Sequence, residues 1–236
     1  MLVILLTAGA VFSQAQPTHP LHGAWHHQDG DREQIVVFVD GYFSHSIFDS
    51  QNKVFQATRG GTYTATDNQI AVTWQYDTDK AEQVPASAWA GKSTAFDYAA
   101  NGTLTLTILG EETVFQRLDS NQTPLAGVWR ITGRQQADGM SQMPLRDRRT
   151  LKILTGTRFQ WVAINVKTGQ FSGTGGGTYT FANGKYTENI DFFSRNADRV
   201  GASLTFDGKI ENGNWHHSGL SSAGEPIYEV WSRNSL

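Results

Sequence analysis

Apolar and polar residues alternate along short segments of the chain, and no window shows the period of an amphipathic helix. The clearest case is the segment 185–193, which follows an Asn-Gly pair at 183–184 that predicts a hairpin turn. One face of that predicted strand carries four side chains: Tyr186, Glu188, Ile190 and Phe192. Three of the four are apolar or aromatic, so we predict that this face is interior and that Glu188 is buried among them.

The same pattern occurs twice. The segment Gly60-Gly-Thr-Tyr-Thr64 returns as Gly176-Gly-Thr-Tyr-Thr180, and the segment Leu21-His-Gly-Ala-Trp25 returns as Leu125-Ala-Gly-Val-Trp129. The offset is 104 residues at the tryptophans and 116 from Phe43 and Phe159 onward, which places about twelve extra residues between 133 and 149. A period this long fits two whole domains, 21–118 and 125–236.

Each repeat contains about eight short predicted strands that follow one another as antiparallel hairpins. The matched strands that we predict are 34–39 with 150–154, 42–48 with 158–164, 69–76 with 185–193, 93–98 with 202–206, and 103–109 with 209–218. Consecutive hairpins without helices favour an up-and-down barrel, since closure removes the exposed strand edges. We therefore predict an all-β protein made of two tandem antiparallel barrels.

Both repeats begin with Gly-x-Trp and end on an arginine, which pairs Trp25 with Arg117 and Trp129 with Arg233. This arrangement resembles the lipocalin-like (calycin) superfamily, and most of all the secreted bacterial lipocalin-like domains that end in Glu-x-Trp-x-Arg. The resemblance implies that each tryptophan closes one end of a barrel and that the arginine packs over it. The chain has neither the disulfide nor the C-terminal helix of classical lipocalins.

Composition excludes several classes of function. The 22 acidic and 19 basic residues give a net charge of −3, and no basic run of five or more residues is present, so we predict no nucleic-acid partner. Cysteine is absent, and the histidine spacings are generic, so we predict neither a metal nor a cofactor.

Residues 1–15 resemble a secretory signal peptide. An apolar run covers residues 2–12, and Ser13-Gln-Ala15 supplies small residues where a signal peptidase cleaves. We therefore expect a secreted or periplasmic protein with no integral membrane segment after the signal is removed.

The differences between the repeats locate the candidate site. Glu188, Glu229 and His217 stand where repeat one has Val72, Thr113 and Leu106, so we interpret barrel one as filled and barrel two as the site-bearing barrel. Strand alternation groups these three with further inward side chains that we predict to bind the ligand: Trp161, Tyr186, Trp215, Trp231 and Arg233. Alternatively, Glu229 pairs with Arg233 or another neighbour and has a structural role only.

Three functions fit this pattern. The first is a binding protein that holds a small hydrophobic or aromatic ligand in the second barrel. The second is an acid/base enzyme, a hydrolase or an isomerase, with Glu188, Glu229 and His217 as catalytic groups. The third is a structural or surface-interaction module with two filled barrels. The extra residues at 133–149 are expected to cover the mouth of barrel two, where Arg146, Arg148 and Arg149 would attract an anion, or to form a solvated loop.

Overall fold

The structure, a computed structural model, describes residues 19–108, 110–120, 122–221 and 224–234. The first barrel consists of strands β1 Gly23–Asp29, β2 Arg32–Val39, β3 Tyr42–Asp49, β4 Val54–Ala65, β5 Gln69–Asp77, β6 Ser93–Ala100, β7 Thr103–Ile108 and β8 Glu111–Arg117. A short helix, α1 Thr78–Gln83, and a 3-10 turn, Ala86–Ala88, connect β5 to β6. No helix in the described ranges is long and apolar enough to cross a membrane.

The second half of the chain repeats this plan with one additional strand. Its strands are β9 Gly127–Gln136, β10 Gly139–Gln142, β11 Arg148–Leu154, β12 Arg158–Asn165, β13 Gln170–Ala182, β14 Lys185–Phe193, β15 Ser203–Glu211, β16 Asn214–Leu220 and β17 Pro226–Arg233. A 3-10 turn, Ala197–Arg199, precedes β15. The additional strand is β10, which extends β9 as a hairpin within the inserted residues.

Both sheets close on themselves. Strand β1 pairs with β8 through Trp25 and Arg117, and β9 pairs with β17 through Trp129 and Arg233. All neighbouring strands are antiparallel and follow chain order, apart from the β10 extension. The predicted fold class, two tandem eight-stranded up-and-down barrels, is confirmed.

Two details of the predicted elements are wrong. The predicted strand 209–218 is split by a turn at Asn212-Gly213, where Asn212 adopts a left-handed φ of 51°. This is the same Asn-Gly turn chemistry that marks 183–184. Helix α1 was not predicted, because six residues are too few to show a helical period.

The repeated glycine pair marks a bulge in each barrel. The pairing register shifts between Gly60 and Gly61, and again between Gly176 and Gly177, so that Asp191 of β14 is an extra residue. A Cβ on Gly177 would lie 1.9 Å from the carbonyl oxygen of Asn189, which leaves no room for any side chain. The bulge reverses the alternation of faces beyond it.

This reversal corrects one sequence expectation. Tyr186, Glu188 and Ile190 share the interior face of β14 as predicted, but Phe192 lies on the outer face of the barrel. Phe193 takes the inward position in its place and contacts Trp161, with 5.3 Å between the ring centroids.

The closed end of each barrel is built in the same way. The Arg117 guanidinium lies 3.9 Å from the Trp25 ring centroid, and the Arg233 guanidinium lies 4.0 Å from that of Trp129. Each indole Nε1 donates a hydrogen bond, at 2.8 Å, to the backbone oxygen of the leucine four residues earlier. Both predicted tryptophan–arginine pairs are therefore formed, with the cation–π geometry that stabilises such contacts.

The two barrels pack against each other through their outer walls. The wall residues of barrel one are Ala24, Ile35, Val37, Val39, Tyr42, Phe48 and Tyr76, and those of barrel two are Val128, Leu151, Ile153, Val162, Ile164 and Phe192. The Phe48 and Phe192 rings stack at 4.7 Å, and Gln160 donates a hydrogen bond across the junction to Thr58 Oγ1 at 3.1 Å. The described residues thus form three apolar cores: one inside each barrel and one between them.

Candidate ligand-binding site in the second barrel

The interior of barrel two gathers most of the side chains that the sequence singled out. Strands β14, β16 and β17 bring six of them together, all buried: Tyr186, Glu188, Trp215, His217, Glu229 and Trp231. Trp161 of β12 is partly buried and lies toward the open end. Arg233 lies elsewhere, because it covers Trp129 at the closed end, where its guanidinium donates to backbone oxygens of Pro124 and Ala126.

A residue that the sequence analysis missed, Lys152 of β11, lies at the centre of this group. Its Nζ donates a hydrogen bond to Glu188 Oε1 at 2.7 Å, and the Tyr186 hydroxyl donates to the same oxygen at 2.9 Å. Four ring centroids lie 4.9–5.8 Å from the ammonium nitrogen, those of Tyr186, Phe206, Trp215 and Trp231. A buried ion pair persists when both charges are hydrogen-bonded, and the surrounding aromatic faces further stabilise the cation.

The signal for Lys152 was present in the repeat. Lys152 pairs with Trp129 as Val36 pairs with Trp25, so barrel one holds a valine at the equivalent position. Lys152 stands between the apolar Leu151 and Ile153, whose side chains face the other barrel and not the interior of their own.

Glu229 pairs with Arg134, a neighbour on β9, and not with Arg233. Its Oε1 accepts a hydrogen bond from Arg134 at 2.6 Å, and its Oε2 accepts one from the Trp231 indole at 3.0 Å. Strand β9 brings Arg134 opposite Glu229 by a register shift near Ile131. Burial acts to raise the pKa of Glu229, but the positive charges of Lys152 and Arg134 help to outweigh it, and the pKa is lowered to about 2.

His217 is enclosed by rings. It packs against Phe206 with 4.2 Å between centroids, and neither ring nitrogen has a hydrogen-bond partner among the described residues. Its Nδ1 lies 3.7 Å from Glu229 Oε2, which is too long for a hydrogen bond. Burial, reinforced by the positive charge of Lys152, lowers the pKa of His217, so the imidazole is neutral near pH 7.

A pocket of about 160 Å³ opens toward the uncapped end of the barrel. It is lined by Phe159, Trp161, Gly176, Glu188, Ile190, Phe193, Leu204, Phe206, Ser221 and Ile227. Of the predicted site residues, Glu188 and Trp161 line it. The others do not line it: Tyr186, Trp215, His217, Glu229, Trp231 and Arg233. Phe193 was missed because the bulge reverses the faces of β14. A dry apolar cavity of about 150 Å³ accepts benzene, so this volume suits one aromatic ring.

Barrel one differs from barrel two in chemistry more than in form. The positions equivalent to Lys152, Glu188, His217 and Glu229 are Val36, Val72, Leu106 and Thr113, so its middle is less polar. Its open end is not filled. A pocket of about 170 Å³ there is lined by Arg32, Gln34, His45, Ile47, Arg59, Asp79, Ile108, Glu111, Thr113 and Phe115.

Comparisons with known proteins add little to this description. No family profile matches the chain. No curated protein matches it. A solved structure similar to the chain is the crystal structure of a DnaN sliding clamp (DNA polymerase III subunit beta) from Pseudomonas aeruginosa bound to griselimycin, at 10% identity and a TM-score of 0.14. The match covers 95% of this chain and 80% of that chain, and a TM-score this low supports no conclusion about fold or function.

Proposed function

We propose that this protein is a secreted or periplasmic lipocalin-like protein that binds a small hydrophobic or aromatic ligand in its second barrel. The observation that carries the proposal is the aromatic-lined pocket that ends on Glu188. Pockets that are mostly apolar, with a few placed polar groups, are typical of small-molecule sites. The paired tryptophan–arginine ends and the two closed barrels support the lipocalin-like assignment.

The hydrogen bonds of Glu188 indicate which ligands fit best. Lys152 and Tyr186 both donate to Oε1, and no described residue donates to Oε2. A carboxylate oxygen accepts hydrogen bonds, and a charge-assisted one is roughly twice as strong as a neutral one. We infer that the ligand is one aromatic ring, or an apolar group of that size, that carries an O–H or N–H donor.

The acid/base enzyme finds less support in the geometry. Glu188 is fixed by an ion pair and a tyrosine, and the pocket is lined by neither of the other two candidate catalytic groups, His217 and Glu229. The site therefore favours binding over proton transfer.

Phenol and toluene test the proposal, because they are equal in size and only phenol has a donor. In isothermal titration calorimetry we expect both to bind, with phenol about 5–10-fold tighter through Glu188. Glu188→Gln should reduce that preference. The double variant Lys152→Met/Glu188→Leu, which gives barrel two the apolar chemistry of barrel one, should bind toluene and lose the preference for phenol.

A matched pair of substitutions identifies the pocket. Leu204→Trp fills it and should abolish binding of both probes, whereas Leu220→Trp, at a leucine that is 59% exposed, should leave binding unchanged. Unaltered binding in the Leu204→Trp protein would show that the ligand site lies elsewhere.

Export is supported by the apolar run at residues 2–12, which lies outside the described residues. N-terminal sequencing of protein recovered from the medium or the periplasm should give a start near Gln16. Protein retained inside the cell with residue 1 intact would contradict export.

A further inference from the structure

The wall of barrel two has a gap beside the inserted residues. Strands β9 and β11 pair only over Gly127–Arg130 and Leu151–Leu154. Beyond that point β9 continues with β10 and β17, while the first residues of β11 pair with β12 alone. The segment 143–147 crosses the gap, with the Met143 backbone nitrogen donating to the oxygen of Thr132 at 2.8 Å.

A cleft of about 420 Å³ occupies this gap. Four arginines line it, together with neutral residues: Arg130, Arg146, Arg148 and Arg149. No carboxylate is among its described lining residues, and none of the four arginines forms an ion pair with a carboxylate of the described ranges. We call this feature the arginine cleft.

Two of the four arginines, Arg130 and Arg149, are held in place by backbone oxygens without being neutralised by a carboxylate. Arg130 Nη1 donates to the backbone oxygens of Ile131 and Met143, both at 2.9 Å, and Arg149 Nε donates to the oxygen of Arg146 at 3.1 Å. Burial, with a smaller contribution from the positive charge of Arg149, lowers the pKa of Arg130. The cleft thus concentrates positive charge on a chain whose net charge is −3.

Barrel one shows what a purely structural version of this corner looks like. The equivalents of Arg130 and Arg149 are His26 and Glu33, and His26 Nε2 lies 3.3 Å from Glu33 Oε2. In barrel two the acidic partner is replaced by a second cation, and the inserted segment adds Arg146. Four guanidinium groups that repel one another lower stability unless an anion neutralises them.

We propose that the arginine cleft binds a small doubly charged oxyanion, such as a phosphate or a phosphate monoester. Guanidinium groups bind oxyanions through paired N–H donors, and a dianion can engage several of them at once. The volume lies within the range of small-molecule pockets, and the inserted segment borders the cleft, so it suits a compact ligand better than a polymer. This proposal does not rest on the proposed function of the barrel pocket.

Inorganic phosphate is the first probe and phenyl phosphate the second, each titrated into the full-length protein at low ionic strength. Arg148→Gln and Arg149→Gln should each weaken phosphate binding by about 5–10-fold. Lys185→Gln removes one positive charge at an exposed hairpin and should leave the affinity within about twofold. Added sodium chloride should weaken binding, since the partly exposed charges are screened.

Several outcomes would overturn the inference. The proposed site would be contradicted if phosphate failed to bind at millimolar concentration. It would also be contradicted if phosphate bound equally to the wild-type and Arg149→Gln proteins. Suppose instead that neither small probe binds, and that a polyanion such as heparin or an oligonucleotide binds through Arg148 and Arg149. The arginine cleft would then be a surface for a polymer and not a site for a small oxyanion. Leu204→Trp should leave phosphate binding intact, because Leu204 lines the barrel pocket and not the arginine cleft. A failure of the barrel-pocket proposal can therefore be distinguished from a failure of this one.

Discussion

Four interior positions of barrel two carry ionisable side chains where barrel one carries valine, leucine or threonine: Lys152, Glu188, His217 and Glu229. Taking charges out of water costs several kcal/mol per ion unless each is paired. Here Lys152 pairs with Glu188, Glu229 pairs with Arg134, and His217 remains neutral. The polar interior is therefore tolerated because each buried charge has its own partner.

Glu229 should make the protein sensitive to acid in a defined range. Its pKa is about 2 in the folded protein against an ordinary value of 4.5, so the folded state holds its proton less tightly than the unfolded state. The stabilisation is present above about pH 4.5 and is lost as the pH falls toward 2. Urea unfolding at a series of pH values should show this loss.

The variant Glu229→Gln should be less stable than wild type at pH 7 and should show a flatter pH dependence below 4.5. Glu112→Gln, at an exposed glutamate of β8, is the control and should follow the wild-type curve. Equal slopes in wild type and Glu229→Gln would contradict the assignment. His217, whose pKa is lowered, contributes separately, because its neutral form is favoured by folding and stability falls as the pH drops below 6.5.

Repeat comparison located part of the site from sequence alone. It found Glu188, Glu229 and His217 because each replaces a less polar residue of the first repeat. The same comparison distinguishes Lys152 from Val36. The neighbours of Lys152, Leu151 and Ile153, are also apolar because they pack against the wall of barrel one, so alternation alone does not show which side chains point inward. Partners such as Arg134 depend on register shifts, which alternation does not reveal.

At the scale of the elements, the glycine pair in each barrel permits neighbouring strands to approach closely and to form a β-bulge. The register shifts at Gly61 and Gly177 occur in the shared Gly-Gly-Thr-Tyr-Thr segments, as expected of glycines inside strands, which often mark a bulge. The exact bulge position decides that Phe193, and not Phe192, reaches the pocket. Sequence alone predicted the strands well, but it did not predict that the inward and outward faces of β14 are exchanged beyond the bulge.

Gly177→Ala should be strongly destabilising, by about 2 kcal/mol or more, because its Cβ would overlap the Asn189 carbonyl oxygen at 1.9 Å. Gly133→Ala is the matched control, since its Cβ would meet Met140 Sδ at 3.2 Å, and a methionine side chain can move. Thermal unfolding of both variants measures the difference. Equal melting temperatures would show that the strands separate easily at the bulge.

At the scale of the molecule, the two barrels share an apolar wall that the repeat pattern did not identify as an interface. A signal for it exists in β2, where Ile35, Val37 and Val39 are apolar on the face opposite Val36 and Phe38. A strand that is apolar on both faces is buried on both. Sequence therefore predicted two barrels, and side-by-side packing followed only from the structure.

The shared wall should make the barrels unfold together. In urea, backbone amide signals from both barrels are expected to disappear in one transition. Phe48→Ala removes the stack on Phe192 and should lower stability by about 3 kcal/mol, with signals of both barrels affected. Val54→Ala, at a valine that is 47% exposed, should change little. Two separate transitions in the wild-type protein would contradict a cooperative interface.

The wall also has a consequence for synthesis. Barrel one can close once β8 has left the ribosome, but the strands that cover its apolar side, β11, β12 and β14, follow later. At about 5–20 residues per second, that interval is several seconds. During it the finished first barrel presents Ile35, Val37 and Phe48 to solvent. Because barrel one is synthesised first, the nascent chain is prone to aggregate through this exposed apolar wall during that interval. The interval ends when the second barrel folds onto the first.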